Sequence, residues 1–190
     1  FIEAGYYLDI NISTNQIPCP SGTYQPETGQ TSCLDADAGH YVDSTAQTAQ
    51  TECAAGTYQA STGQSSCLDA DAGYYVDSTL GAAQTSQTAC LAGTYNANTG
   101  STTSSDCLDA DAGNYVPTTG QSSQTECAAG TYQASTGQTS CIVADAGHYV
   151  DSTLGTAQTA QTACLAGTYN AATGSTTSSD CLDADAGNYV

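Results

Sequence analysis

Cys67-Leu-Asp-Ala-Asp-Ala-Gly-Tyr-Tyr-Val76 is written five times along this chain in slightly different spellings. It reads CLDADAGHYV from Cys33, CLDADAGNYV from Cys107 and Cys181, and CIVADAGHYV from Cys141. Two readings compete for it. Its Asp-x-Asp-x-Gly core has the spacing of a calcium loop, where Gly permits a tight turn while oxygens converge on a hard cation. The alternative is a joint between modules, acidic because it is solvated. The choice decides whether the molecule carries a repeated ion site or is itself a building material.

The decamer belongs to a repeat that covers the chain, so the period has to be read first. Residues 127–190 match 53–116 at all but seven of 64 positions, a super-period of 74 residues. Inside it lies a 37-residue unit, marked by Cys53, Cys90, Cys127 and Cys164, with a first step of 34 from Cys19. The units run 19–52, 53–89, 90–126, 127–163 and 164–190 (incomplete), after a divergent half-repeat or cap at 1–18. Each unit divides into half-units of 17 to 20 residues that open on Gly-x-Tyr, a triplet present 11 times. A short extended piece around the Tyr, a turn rich in Gly, Ser, Thr and Asn, and a polar return is the grammar of a hairpin. No stretch of ten residues carries a 3.6-residue apolar period, so helices are not expected.

Half-units alternate between two kinds. In one, Gly stands three residues after a Cys and a second Cys closes the segment, as in CAAGTYQASTGQSSC from Cys53 to Cys67. In the other, the first Cys position holds Ala36, Ala70, Ala110 or Ala144, and the closing position holds Gln50, Gln87, Gln124 or Gln161. These Ala/Gln pairs are 14 or 17 residues apart, the same two separations found between cysteines of the first kind. Both members are missing together every time, as expected if each half-unit closes its own disulfide. The pattern predicts Cys19–Cys33, Cys53–Cys67, Cys90–Cys107, Cys127–Cys141 and Cys164–Cys181. A rival scheme pairs across the longer spacings, such as Cys33–Cys53 and Cys67–Cys90, and strands Cys19 and Cys181.

Composition explains why staples are needed. Leu, Ile, Val and Phe number 21 of 190 residues, so a large apolar core is not available. Ten cysteines at regular spacing point to an oxidising compartment. Closing a loop of about 15 residues contributes roughly 3 kcal/mol in the chain-entropy model. The chain has 19 carboxylates and no Lys or Arg, a formal net charge of −19. That balance excludes the electrostatic footprint of a nucleic-acid binder and argues against docking on anionic lipid. No apolar run is long enough to insert in a membrane.

The pattern C-x-x-G-T-Y…C, followed by a second Gly-x-Tyr half, resembles the ephrin-receptor-like cysteine-rich repeat of secreted and cell-surface proteins. The Cys-to-Cys half is also similar to the single-disulfide module of tumour-necrosis-factor-receptor repeats. The departure is systematic, since C-x-x-C of those families reads C-L-D-A here. The resemblance implies an elongated array of small modules, each touching mainly its neighbours. The expected fold is a small disulfide-rich β protein, a tandem rod of short hairpins.

Candidate ligands for calcium are Asp35, Asp37, Asp69, Asp71, Asp109, Asp111, Asp183 and Asp185; no other cofactor is implied. One copy has Val143 in place of the first Asp, and Pro117 replaces a later Asp in another. The Tyr of each Gly-x-Tyr is expected to fill the starved core, with the middle residue turned outward. His40 and His148 occupy that middle position with no Ser/His/Asp or Cys/His arrangement, so no catalysis is expected. Asn11-Ile12-Ser13 is an N-glycosylation sequon, and 50 Ser and Thr residues suit O-linked glycans on an extracellular or cell-surface protein. The chain begins and stops inside half-units, which suits an excerpt of a longer array or ends that complete each other between copies. The leading expectation is a structural extracellular protein, a rod, stalk or filament with copies of itself and glycans as partners. The alternative is an adhesive or ligand-binding ectodomain of cysteine-rich receptor type, with Leu8–Pro18 as its divergent stretch.

Overall fold

The computed structural model describes residues 1–11 and 15–185. Among the described residues, twenty strands of two residues form ten two-stranded sheets, each made of two strands consecutive in sequence. The opening strand is the x-Tyr of Gly-x-Tyr, and the return strand begins just after the closing Cys or Gln. Thus Thr23–Tyr24 pairs antiparallel with Leu34–Asp35, His40–Tyr41 with Thr51–Glu52, and Thr57–Tyr58 with Leu68–Asp69. The same register recurs in Thr94–Tyr95 with Leu108–Asp109 and Asn114–Tyr115 with Thr125–Glu126. Half-units of 17-residue separation differ from those of 14 by one 3-10 turn: Ser78–Leu80, Ser104–Asp106, Ser152–Leu154 and Ser178–Asp180. The extra residues are thereby absorbed in the loop without disturbing the strands.

An isolated two-stranded hairpin is marginal in water. Here hairpins within each compact unit of the chain are hydrogen-bonded one to the next. The N–H of the residue after Gly-x-Tyr donates to a loop carbonyl of the following half-unit, for example Leu8 to Gln30, Gln25 to Gln47 and Val42 to Gln64, all at 3.0 Å. The Gly N–H of one half-unit donates to a backbone carbonyl of the next, as Gly22 does to Val42 and Gly39 to Gln59 at 2.7 Å. Loops reach one step further. A Cβ built on Gly39 would lie 2.2 Å from the carbonyl oxygen of Ala83, and one on Gly113 would lie 2.1 Å from that of Ala157. The loop therefore rests on the half-unit two before its own, and only glycine leaves room for it. Contact between neighbours thus holds at the level of the 37-residue repeat.

The chain forms two compact units, Phe1–Thr88 with Asn98–Asp106, and Ala89–Ala97 with the segment from Cys107 onward. The core of each is a file of single residues. Cys19, Ala36, Cys53 and Ala70 in the first, and Cys90, Ala110, Cys127 and Ala144 in the second, are at most 1% exposed. The residue after Gly-x-Tyr is buried beside them at Gln25, Val42, Gln59 and Val76 in the first unit, where Leu8 is half-buried. This corrects the expectation that Tyr fills the core. The tyrosines of the opening strands are only partly covered, and the smallest side chains hold the centre. The middle residue of Gly-x-Tyr is not turned fully outward either; Asn114 is buried. Its strand face receives the loop two half-units ahead, as shown by Asp35 Cγ lying 3.6 Å from the Cβ position of Gly63.

Candidate functional site

The acidic joint is a clip. In every half-unit that lacks a disulfide, the closing Gln reaches the residue just after the buried Ala. Gln50 Nε2 donates to Asp37 Oδ2 at 2.7 Å, and the Asp37 backbone N–H donates to Gln50 Oε1 at 2.7 Å. The same two bonds join Asp71 to Gln87, Asp111 to Gln124 and Asp145 to Gln161. The divergent N-terminal half-unit does it with Glu3 and Gln16 at 3.0 and 3.1 Å. A carboxylate accepting from an amide while its own backbone N–H is accepted by the same amide is a closed two-bond ring, and the charged acceptor strengthens it. The copy that lost its first Asp to Val143 keeps Asp145, the clip residue. The second Asp is the one with a structural task.

The first Asp lies elsewhere. Asp35, Asp69, Asp109 and Asp183 stand exposed on return strands opposite Thr23, Thr57, Thr94 and Thr168. The second Asp lies beyond the end of the return strand, and at Asp37, Asp71 and Asp111 it is engaged by Gln. The two carboxylates of these joints therefore differ in role, one closing the clip and the other standing exposed. Asp185 is exposed one residue beyond Ala184. Among the described residues, no three His, Cys, Asp or Glu side chains are placed to hold a metal. Asp77 and Asp151 instead cap single turns: each accepts from the hydroxyl and the N–H of the Thr two residues on, at 2.6 and 2.9 Å. The Thr79 and Thr153 hydroxyls, then their N–H groups, hold these carboxyls below the usual range. Asp180 is lowered likewise by the N–H groups of Thr176 and Thr177.

The other half-units carry disulfides Cys19–Cys33, Cys53–Cys67, Cys90–Cys107, Cys127–Cys141 and Cys164–Cys181, all with Cα atoms 5.7 Å apart, and no described cysteine is free. Beside each of Cys33, Cys67 and Cys141 a buried Gln that sequence reading missed secures the loop. Gln25, Gln59 and Gln133 donate to the carbonyls of Ser32, Ser66 and Ser140, and accept from the N–H two residues on. In the 17-residue half-unit, Asn170 does the same with the Ser175 hydroxyl and the Ala172 N–H. The signal was present in sequence: Gln or Asn follows Gly-Thr-Tyr, and Val, or Leu8 in the first copy, follows Gly-x-Tyr of the other kind. The Thr of Gly-Thr-Tyr also bonds back to the carbonyl three residues earlier, Thr57 to Ala54 at 2.8 Å.

His40 and His148 both lie on opening strands, but their cross-strand partners are Glu52 and Ala163. His40 Nε2 is 4.0 Å from Glu52 Oε1. Open clefts lie next to these strands, one lined by Tyr41, Glu52, Ala54, Thr57, Ser66 and Cys67. Another in the second unit is lined by Tyr149, Ala163, Leu165, Thr168 and Cys181. Asn11 is exposed and its N–H donates to Asp9 Oδ1 at 2.9 Å; Ile12 and Ser13 of its sequon lie outside the described residues, as does the last Gly-x-Tyr.

Short hairpins in tandem, half of them stapled by one disulfide each, place the molecule in the class of cysteine-rich repeat modules. Residues 5–53 match the family described as tyrosine-protein kinase ephrin type A/B receptor-like, so this segment is similar to an ephrin-receptor-like cysteine-rich repeat. It spans the Cys19–Cys33 half-unit, most of the divergent half-unit before it and the Ala36–Gln50 half-unit after it, and the last two kinds alternate along the rest of the chain. The family is one of receptor-type extracellular modules and not of enzymes. No curated protein matches the chain. Family and disulfides together point to an extracellular location. No helix among the described residues is long and apolar enough to cross a membrane.

Proposed function

We propose that this chain is a structural extracellular repeat protein whose half-units stack into a rod, stalk or filament carrying glycans. One observation carries the reading: successive half-units are joined by the same backbone hydrogen bonds at the same register, as in Leu8 to Gln30, Gln25 to Gln47 and Val42 to Gln64. A rule of that kind can be applied indefinitely, and it builds length without building a deep pocket. The exposed Ser and Thr of the loops and the exposed Asn11 offer attachment points for sugars, and uniform negative charge keeps such material soluble. Copies of the same chain are the natural partners, because the register that joins successive half-units is the same throughout and can join like units of separate chains. Electron microscopy of the native material, with mass measured before and after deglycosylation, tests this. Long threads and a mass loss support it; compact monodisperse particles overturn it.

A further inference from the structure

The two members of the 74-residue super-repeat differ in how one exposed carboxylate is engaged. Glu52 and Glu126 occupy the same place, the second residue of a return strand in the sequence Thr-Glu-Cys-Ala-Ala-Gly-Thr-Tyr. The Glu126 carboxylate accepts a hydrogen bond from the hydroxyl of Thr156, on the loop two half-units ahead. That loop is seated by Ala157 against Gly113, and its counterpart is seated in the same way by Ala83 against Gly39. At the position of Thr156 the counterpart loop has Ala82, one of the seven differences between the copies. Its methyl group cannot donate.

Glu52 is therefore left with His40 at 4.0 Å, and its side chain is 61% exposed. It stands at the rim of a cleft whose walls are the Tyr41 ring, Ala54 and the Cys67 end of a disulfide, with Thr57 and Ser66 beside them. The Thr57 hydroxyl is already committed to Ala54. A mostly apolar trough with an aromatic wall and a carboxylate at one end suits a long aliphatic stem tipped by a cation. The chain has no Lys or Arg of its own to fill it. We propose that the Tyr41–Glu52 cleft receives one arginine or lysine side chain of a basic polypeptide partner. The stem lies on Tyr41 and the disulfide, the cation meets Glu52 and the ring face, and the net charge of −19 speeds encounter. The cleft at Tyr149 keeps its aromatic wall but has Ala163 for the Glu and Leu165 for Ala54, so it does not take the cation. The inference holds whether or not the array polymerises.

The test uses the full oxidised chain in about 0.15 M salt, where exposed charges further apart than roughly 8 Å are screened. The probe is a short peptide with one arginine among alanines, compared with the same peptide carrying neutral citrulline. Backbone NMR is expected to show the arginine peptide shifting Tyr41, Glu52 and Ala54, and the citrulline peptide leaving them in place. Ala82→Thr, which changes no charge, supplies the missing hydroxyl and weakens the arginine peptide by about five-fold, the size of one exposed charge contact. Glu52→Gln abolishes the shifts. Thr156→Ala, again neutral, releases Glu126 from its hydrogen bond and adds a second set of shifts at Tyr115. Shifts spread evenly over all the carboxylates and unmoved by Ala82→Thr would overturn the proposal in favour of a diffuse field.

Discussion

Residues 36–50 and 53–67 are two half-units of equal span, and they close in different ways. Both begin on a fully buried small residue, Ala36 or Cys53, and both bring an opening Tyr against a return strand in the same register. One is closed by the Cys53–Cys67 disulfide and the other by two hydrogen bonds between Asp37 and Gln50. The native geometry of a half-unit therefore does not require a covalent bond. A disulfide acts mainly on the unfolded chain, by shortening the loop it must close. The clip acts only in the folded one. Alternating them leaves every Ala half-unit between two covalently closed neighbours that limit its freedom.

Substitutions shared by both kinds of half-unit break the comparison most severely. Gly39→Ala and Gly56→Ala each place a Cβ 2.2 Å from a carbonyl of the loop two ahead, at a backbone φ near +80°. Each is expected to lower stability by about 3 kcal/mol or more, through left-handed strain and overpacking together. Equal losses in urea unfolding would show that the two kinds share one docking scheme, and a large inequality would refute it. Removing closure separates them. Cys53→Ala with Cys67→Ala is expected to cost about 3 kcal/mol. Gln50→Ala should cost about 1 kcal/mol, because the clip is exposed and water replaces part of it. The comparison sharpens if Ala36→Cys with Gln50→Cys oxidises to a sixth disulfide, read by peptide mapping without reductant. Persistent free thiols would mean that the two closures are not interchangeable.

The turn capped by Asp77 distinguishes the longer half-units by pH. Its carboxyl is held low by the Thr79 hydroxyl and N–H. A depressed folded value means that its contribution is complete above the ordinary carboxylate range and fades as pH falls through the lowered value. Protection of the Thr79 amide against hydrogen exchange should drop on acidification, and Asp77→Asn should remove that dependence. The smallest effect belongs to the loop position that is Gly in some half-units and Ala46, Ala83 or Ala157 in others, these three at φ of 59°, 62° and 60°. Replacing Ala157 by Gly should raise stability by at most about 1 kcal/mol, the left-handed strain relieved less the entropy that glycine loses on folding. A loss in thermal unfolding would show that the Ala methyl is packed.

Particular residues mark where sequence reading stopped. The matched absence of Cys at Ala36 and Gln50 was visible because spacing alone records it. That Gln50 binds Asp37 was not, because a Gln side chain is longer than Cys and reaches one residue past its former partner position. The acidic decamer looked like a calcium loop for the same reason. Its Asp37 has the spacing of a ligand, and what spacing did not disclose is that Oδ2 accepts from the Gln50 amide. Buried Gln59 was missed because polar residues are usually outside; here its donor and acceptor are both used, by Ser66 and Ser61.

Period, hairpin order, the two kinds of half-unit and the placing of staples within them can all be derived from the order of residues, because a repeated loop writes its length into the chain. Which groups fill the centre, which Asp is engaged, and why Glu126 accepts a hydrogen bond from a loop while Glu52 does not were decided only by tertiary structure. Those outcomes depend on loops arriving from two half-units away, with side-chain reach and hydrogen-bond direction that no local spacing encodes.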